Sequence, residues 1–352
     1  MIRPYARLLS AAALLALSVP VLQAVAQQQV PPAPVTTAPQ AIPMPSFHQA
    51  TPMPAQPAAK PSAPAPTIAP TFPKPNPANF TATSPTMETV NAFLNANWGW
   101  DENRVWQVEA ILKTQVEGVS KVIVYVGDKT GKQKPVGFEF FVLPDGNHII
   151  EGGSIMDFGA HPFAERRQIL ATRADGPYRG AASKDLELVE FADFQCPHCK
   201  EAQANMDKLA TDFPKARIVF QLFPLTSIHP ESGPAADYAL CVNQLGGSAA
   251  FFKFAAAVFD GQDGMATPDG ATLTLNSAVV KAGLNPIKVS ACAATPAIKS
   301  QMEALGKLPA DLGINEVPML VINGREIPGN IPYNMLKKLV QFQAKLDGVS
   351  LQ

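Results

Sequence analysis

Apolar and polar positions divide the chain into one stretch that cannot bury a core and a longer one that can. Residues 27–85 are rich in Pro, Ala, Thr and Gln, with almost no charge and few large apolar side chains, so they read as a disordered, semi-extended linker. Helical spacing from Met87 to Ala96 is followed by apolar runs at Val105 to Leu112, Val122 to Val126 and Val136 to Leu143. These predict a small α+β module over residues 86–160. Asp145-Gly146 is a hairpin signal and predicts a fourth strand from His148 to Ile155. Trp98, Trp100 and Trp106 read as packing residues near the exit of the helix. A short charged helix from Pro162 to Ala171 and a loop rich in Gly, Ala and Asp make residues 161–183 a linker.

Residues 184–348 read as strand, helix, strand, long helical stretch, hairpin, helix, which is an α/β pattern. Leu186 to Phe191 is a nearly continuous apolar run, as expected of a central strand covered on both faces, and Glu190 is its one intruder. Met206, Leu209, Ala210 and Phe213 then form one helical stripe that Pro214 stops. Ile218, Phe220 and Leu222 alternate as a second strand. Helical periodicity marks residues 224–316 as an insertion, with Pro286 and Pro296 placed as helix starters and a helix break expected at Pro309. Met319 to Ile322, the Asn323-Gly324 turn and Arg325 to Ile327 predict a hairpin before a last helix from Pro332 to Leu346.

Composition adds limits. The chain has 352 residues, 47% of them hydrophobic, and a formal charge of -1, which suits one or two globular domains and offers no basic footprint for nucleic acid. Residues 1–26 carry Arg3 and Arg7, an apolar run from Leu8 to Leu22 and Ala24-Val25-Ala26, the pattern of a signal peptide cleaved before Gln27. An uncleaved membrane anchor is the rival reading. Export to a periplasmic or other extracytoplasmic compartment permits disulfides. Of four cysteines, Cys196 and Cys199 can pair only locally, so Cys241 and Cys292 are left by elimination as a structural pair closing a loop of about fifty residues.

The chemistry concentrates in Phe191-Ala192-Asp193-Phe194-Gln195-Cys196-Pro197-His198-Cys199-Lys200. A helix starting here aims free N–H groups and its positive end at the first sulfur, making Cys196 the nucleophile and Cys199, one turn deeper, the resolving thiol. Pro197 suits a first helical position, and His198 is expected to tune the Cys196 thiolate. A Cys196 pKa near 4 would favour the reduced form by roughly 4 kcal/mol, or roughly 90 mV, whereas a value near 7 would contribute almost nothing. No second CxxC or suitably spaced His pair accompanies these cysteines, so no metal and no cofactor are expected. His229 is expected to cap or pack the first inserted helix, and Phe251, Phe252, Phe254 and Phe259 either line a substrate groove or fill the core.

Strand, CPHC at a helix start, helical insertion, and Val317-Pro318 before a hairpin together resemble the DsbA-like branch of the thioredoxin superfamily. The resemblance implies a thioredoxin fold with an inserted helical subdomain. It also implies a cis Pro318 facing the CxxC, and a Val317 backbone that pairs with extended substrate. Glu190 matches the acidic residue under the active site of that family, and so becomes a proton relay for Cys199. Residues 86–160 resemble, more loosely, the cystatin-like dimerisation domain of DsbC-like isomerases, which implies a homodimer through that module. Three functions stay open. One is an oxidase acting on reduced secreted proteins and recharged by a membrane redox partner, another is a dimeric isomerase or reductase acting on misoxidised ones, and the third is a non-catalytic holdase or envelope-associated binding module.

Overall fold

The computed structural model describes residues 72–132 and 134–351. The expected signal peptide and most of the expected linker lie outside the described residues. Helix α1 (Met87–Trp98) is the first α-helix among the described residues, with the Thr86 hydroxyl accepting from Thr89 N at its start. A five-stranded antiparallel meander follows in the order β1 (Arg104–Lys113), β2 (Ser120–Asp128), β3 (Val136–Val142), β4 (His148–Glu151) and β5 (Ser154–Asp157). The fourth strand expected from His148 to Ile155 is in fact two. Gly152 and Gly153 both take positive φ and fold the segment into a hairpin, which places Ile150 opposite Ile155. Val90, Phe93 and Leu94 of α1 pack on Val122, Val124, Phe140 and Ile149 to form the core of this layer. Trp98 and Trp106 meet edge to face there, with centroids 6.2 Å apart, whereas Trp100 leaves the cluster and packs against the core of the second sheet.

Helix α2 (Ala164–Arg173) leads to a second five-stranded sheet, made of β6 (Tyr178–Gly180), β7 (Glu187–Ala192), β8 (Arg217–Leu222), β9 (Met319–Ile322) and β10 (Arg325–Pro328). Their order in space is β10-β9-β7-β8-β6. The sheet therefore begins at Tyr178, inside the segment expected to be linker. β7 and β8 run parallel and are joined by α3 (Pro197–Asp212), while β9 is antiparallel to β7. β7 is central and buried along its whole length. Leu188, Ile218, Leu320 and Ile322 face α3 and α9 (Tyr333–Leu346); Val189, Phe191, Val219 and Val321 face α2 and the residues around Leu308 and Leu312. Asn323 and Gly324, with φ of 44° and 90°, make the tight turn between β9 and β10. The Asn323 side chain also accepts from Glu187 N and donates to Asp185 O, which ties the turn to the start of β7.

The insertion consists of α4 (Ser232–Asp260), a 3-10 turn at Gln262–Ala266, α5 (Pro268–Lys281), α6 (Pro286–Ala293), α7 (Pro296–Leu305) and α8 (Lys307–Leu312). Gly247, at φ 71°, kinks α4 between its two apolar stretches. Pro268, Pro286 and Pro296 each open a helix. The break expected at Pro309 falls instead at Gly306, and Pro309 sits in the first turn of α8, where a missing N–H costs nothing. Cys241 and Cys292 form a disulfide between α4 and α6, with Cα atoms 5.9 Å apart. The Phe-rich stretch is interior: Phe251, Phe254 and Phe259 are buried with Phe194 and Phe220, which favours core over groove. Among the described residues no helix is long and apolar enough to cross a membrane.

Arg325 joins the two layers. Its guanidinium donates to Ala96 O and Asn97 O at the end of α1 and to Gln343 Oε1 on α9, beneath the rings of Phe163 and Phe342. The carbonyls at a helix C-terminus lack intrahelical partners, and a cation is the charge that end of the dipole favours.

Candidate active site

Strand β7 delivers the chain to Asp193, and the tight loop Asp193 to Cys196 turns it into α3. Cys196 N donates to Asp193 O at 3.2 Å, and Cys196 is the N-cap, with Pro197 the first helical residue. Its carbonyl accepts the first helical bonds, from Cys199 N at 3.1 Å and Lys200 N at 3.2 Å. Both cysteines are free thiols. Cys196 is 5% exposed and Cys199 is fully enclosed, so the outer and inner positions expected from the spacing are those seen.

Their acidities diverge. The hydrogen bond from Cys199, followed by main-chain N–H groups of Cys199 and His198 and the charge of His229, brings Cys196 down to about 6 against an opposing burial effect. Cys199 is pushed strongly upward, first by that same bond to Cys196 and then by burial. One proton shared between two sulfurs at a helix N-terminus thus resides on the inner one.

The Val317-Pro318 peptide bond is cis, and Val317 O lies 3.9 Å from Cys196 Sγ. Glu190, 3% exposed on the α3 face of β7, accepts from Gln203 Nε2 at 2.6 Å. Burial raises its carboxyl to about 7, and its charge adds to the rise of Cys199.

The His198 side chain is 63% exposed and its Nδ1 lies 3.0 Å from Glu201 Oε2; its main-chain N–H helps lower Cys196, and the charge of Cys196 adds to the rise that Glu201 causes in the imidazole. His229, expected to cap or pack, instead holds Asp193 through Nδ1 at 2.9 Å.

Three polar residues that spacing alone did not single out build the loop. The Asp193 carboxylate accepts from Gln195 N at 2.7 Å and Leu225 N at 2.8 Å. Gln195 accepts from Glu231 N and donates to Met265 O, and Gln262 donates to Phe194 O at 2.8 Å and Cys196 O at 3.0 Å. A polar Asp193 between Ala192 and Phe194, at the end of an apolar strand, was the available signal. Away from the cysteines, His148, Asp157 and Glu165 bring ligand-type atoms within 4.8 Å of one another at half-buried to exposed positions, with His148 Nδ1 already bonded to Asp145.

A parallel β7-α3-β8 unit, a dithiol at the start of α3 and a cis-proline loop against it define a thioredoxin-fold dithiol site. Residues 172–341 match the family described as Thioredoxin. Among curated proteins, a Na(+)/H(+) antiporter NhaA 1 of Salinispora arenicola is 39% identical over 61 residues, which are 17% of this chain and 9% of that protein. The chain therefore spans less than a tenth of that relative's length. Among solved structures, a thioredoxin-like oxidoreductase from Silicibacter pomeroyi is 24% identical with a TM-score of 0.43, covering 51% of this chain and 98% of that one. Proteus mirabilis ScsC in a transitional conformation is 25% identical with a TM-score of 0.43, covering 52% of this chain and 82% of that one.

Proposed function

We propose that the protein is an exported thiol–disulfide oxidoreductase that passes its Cys196–Cys199 disulfide to reduced secreted proteins. The observation that carries this reading is the split between the two thiols, with Cys196 lowered to about 6 at the helix start and Cys199 enclosed and raised. In the transfer, a substrate thiolate attacks Cys196 Sγ of the oxidised protein, a mixed disulfide forms and Cys199 leaves, taking a proton. A second substrate thiolate then attacks the substrate sulfur of that mixed disulfide and Cys196 leaves as a thiolate. The substrate loses two electrons and the protein gains them. Glu190 lies behind Cys199 with an acidity suited to passing that proton, and Val317 O offers an acceptor for extended substrate beside Cys196. Recharging requires an external disulfide, supplied by a membrane redox partner.

A dimeric isomerase or reductase is the second reading, and the same acidity favours it. A fall from 9.0 to about 6 favours the reduced form by only about 1.4 kcal/mol near pH 7, or roughly 30 mV. That is well short of the shift a strong oxidant needs, and a dimer through residues 86–160 would set two sites about one cleft. Refolding assays decide. Superior rescue of a fully reduced substrate supports the oxidase, and superior rescue of a scrambled one supports the isomerase. If Cys196→Ser leaves either activity unchanged, both readings fall and a holdase remains.

A further inference from the structure

Asp193 meets both cysteines through its main chain. Its carbonyl accepts from Cys196 N at 3.2 Å and its N–H donates to Cys199 Sγ at 3.5 Å, so one residue is bonded to both members of the reactive pair. Its side chain is fully enclosed. A buried carboxylate is tolerated only when donors meet its oxygens, and this one takes Gln195 N at 2.7 Å, Leu225 N at 2.8 Å and His229 Nδ1 at 2.9 Å. Gln195 belongs to the reactive turn, whereas Leu225 and His229 belong to the segment between β8 and α4. The carboxylate therefore ties two stretches of chain together around the residue whose N–H reaches the inner sulfur. That N–H has little freedom to swing away.

We propose that the Asp193 N–H, held in place by the Asp193 carboxylate, stabilises the negative charge that develops on Cys199 Sγ whenever the Cys196–Cys199 bond opens or closes. When a thiolate attacks Cys196 Sγ, a new S–S bond forms there, the Cys196–Cys199 bond breaks, and its electron pair goes to Cys199 Sγ. That sulfur is then an anion in an enclosed site until a proton reaches it. Cys196, burial and Glu190 each push the Cys199 thiol up, and the Asp193 N–H acts against them. A donor already aimed at the atom where charge appears lowers the barrier without having to reorganise during the step. Glu190 is suited to deliver the proton, and the Asp193 N–H holds the charge before it arrives. The N–H is thus the catalytic group and the carboxylate its positioning element.

The inference rests on the thiol-exchange reading, and the test separates the two. The oxidised full chain is mixed with reduced glutathione, quenched with acid and mass-mapped for the Cys196 adduct in wild type, Asp193→Asn and Asp193→Ala. Asparagine keeps one acceptor oxygen for the three donors, and alanine keeps none. The inference expects opening to slow roughly tenfold in Asp193→Ala and by less in Asp193→Asn. Closure of the adduct by Cys199 should slow by the same factor, because both directions cross the same charged sulfur, so the equilibrium between oxidised protein and adduct stays within about twofold of wild type. Iodoacetamide alkylation of Cys196, measured with Cys199→Ser added to each form, should also stay within about twofold, which a general loosening of the loop would not allow. In the unmutated protein, the Asp193 amide proton should shift on reduction further than that of Ala192, a readout that needs no variant to fold. Opening in Asp193→Ala at the wild-type rate, a displaced equilibrium, opening and alkylation that fall together, or an Asp193 amide that does not move overturns the inference and leaves the enzyme reading standing. Oxidised wild type that forms no adduct with glutathione overturns both.

Discussion

The carbonyl oxygen of Val317 stands 3.9 Å from the sulfur of Cys196, so the loop before β9 and the start of α3 share one surface although they are 121 residues apart in sequence. On the proposed function, a substrate strand laid on that loop would meet the Cys196 sulfur directly. With Cys199→Ser, the Cys196 thiolate should attack a disulfide of an oxidised or scrambled protein, one substrate sulfur leaving as thiolate, and the mixed disulfide formed has no resolving thiol and should accumulate as a covalent adduct. Cys196→Ser should give no adduct. Non-reducing electrophoresis checks both, and an adduct mapped to Cys199 in wild type would reverse the assigned roles.

Glu190 makes stability depend on pH in a particular direction. Burial lifts its folded pKa from 4.5 to about 7, so its favourable contribution is complete below about 4.5 and is lost as pH rises through about 7. Glu190→Gln should therefore match wild type at acid pH and exceed it by up to about 3 kcal/mol above about pH 7. Thermal unfolding of the oxidised forms across that window measures the divergence; parallel curves contradict it. Slower formation of the mixed disulfide by the oxidised form of the same variant is expected if the carboxyl supplies the Cys199 proton.

Arg325 is buried with three hydrogen-bonding arms, so truncation strands the carbonyls of Ala96 and Asn97 as well as Gln343. Arg325→Ala should cost about 3 to 5 kcal/mol, and Arg325→Lys should recover only part of it because a single ammonium cannot reach two helix-end carbonyls and a side chain at once. Chemical denaturation of the three proteins tests the ordering.

The Cys241–Cys292 bridge spans 51 residues within the insertion and stands apart from the reactive pair. Replacing both cysteines by Ala should lower stability by about 2 to 4 kcal/mol. Cys196 alkylation should stay unchanged below the new melting point. A changed alkylation profile in the folded variant would show that the bridge is coupled to the reactive pair.

Sequence reading captured what periodicity and spacing encode. The thiol order, the apolar β7, the Asn323-Gly324 turn and the proline-started helices follow from local rules and reappear in the structure. Glu190 was visible because a carboxylate in an apolar run is conspicuous. The hairpin at Gly152-Gly153 was hidden within one apolar stretch, and the break at Gly306 lay beside a proline that drew attention from it. Side-chain direction was the least legible. The His198 imidazole meets Glu201 one turn along α3 and the His229 imidazole meets Asp193 36 residues before it, and spacing does not encode such choices.

The amides of Gln195 and Gln262 moor the sulfur-bearing turn to the 3-10 segment and to the start of α4. Any drift of those inserted helices would be felt at the thiolate before it reached the sheet. Variation in the helical cap, far from any cysteine in sequence, is therefore a route by which descendants of this fold can retune reactivity while leaving CPHC untouched.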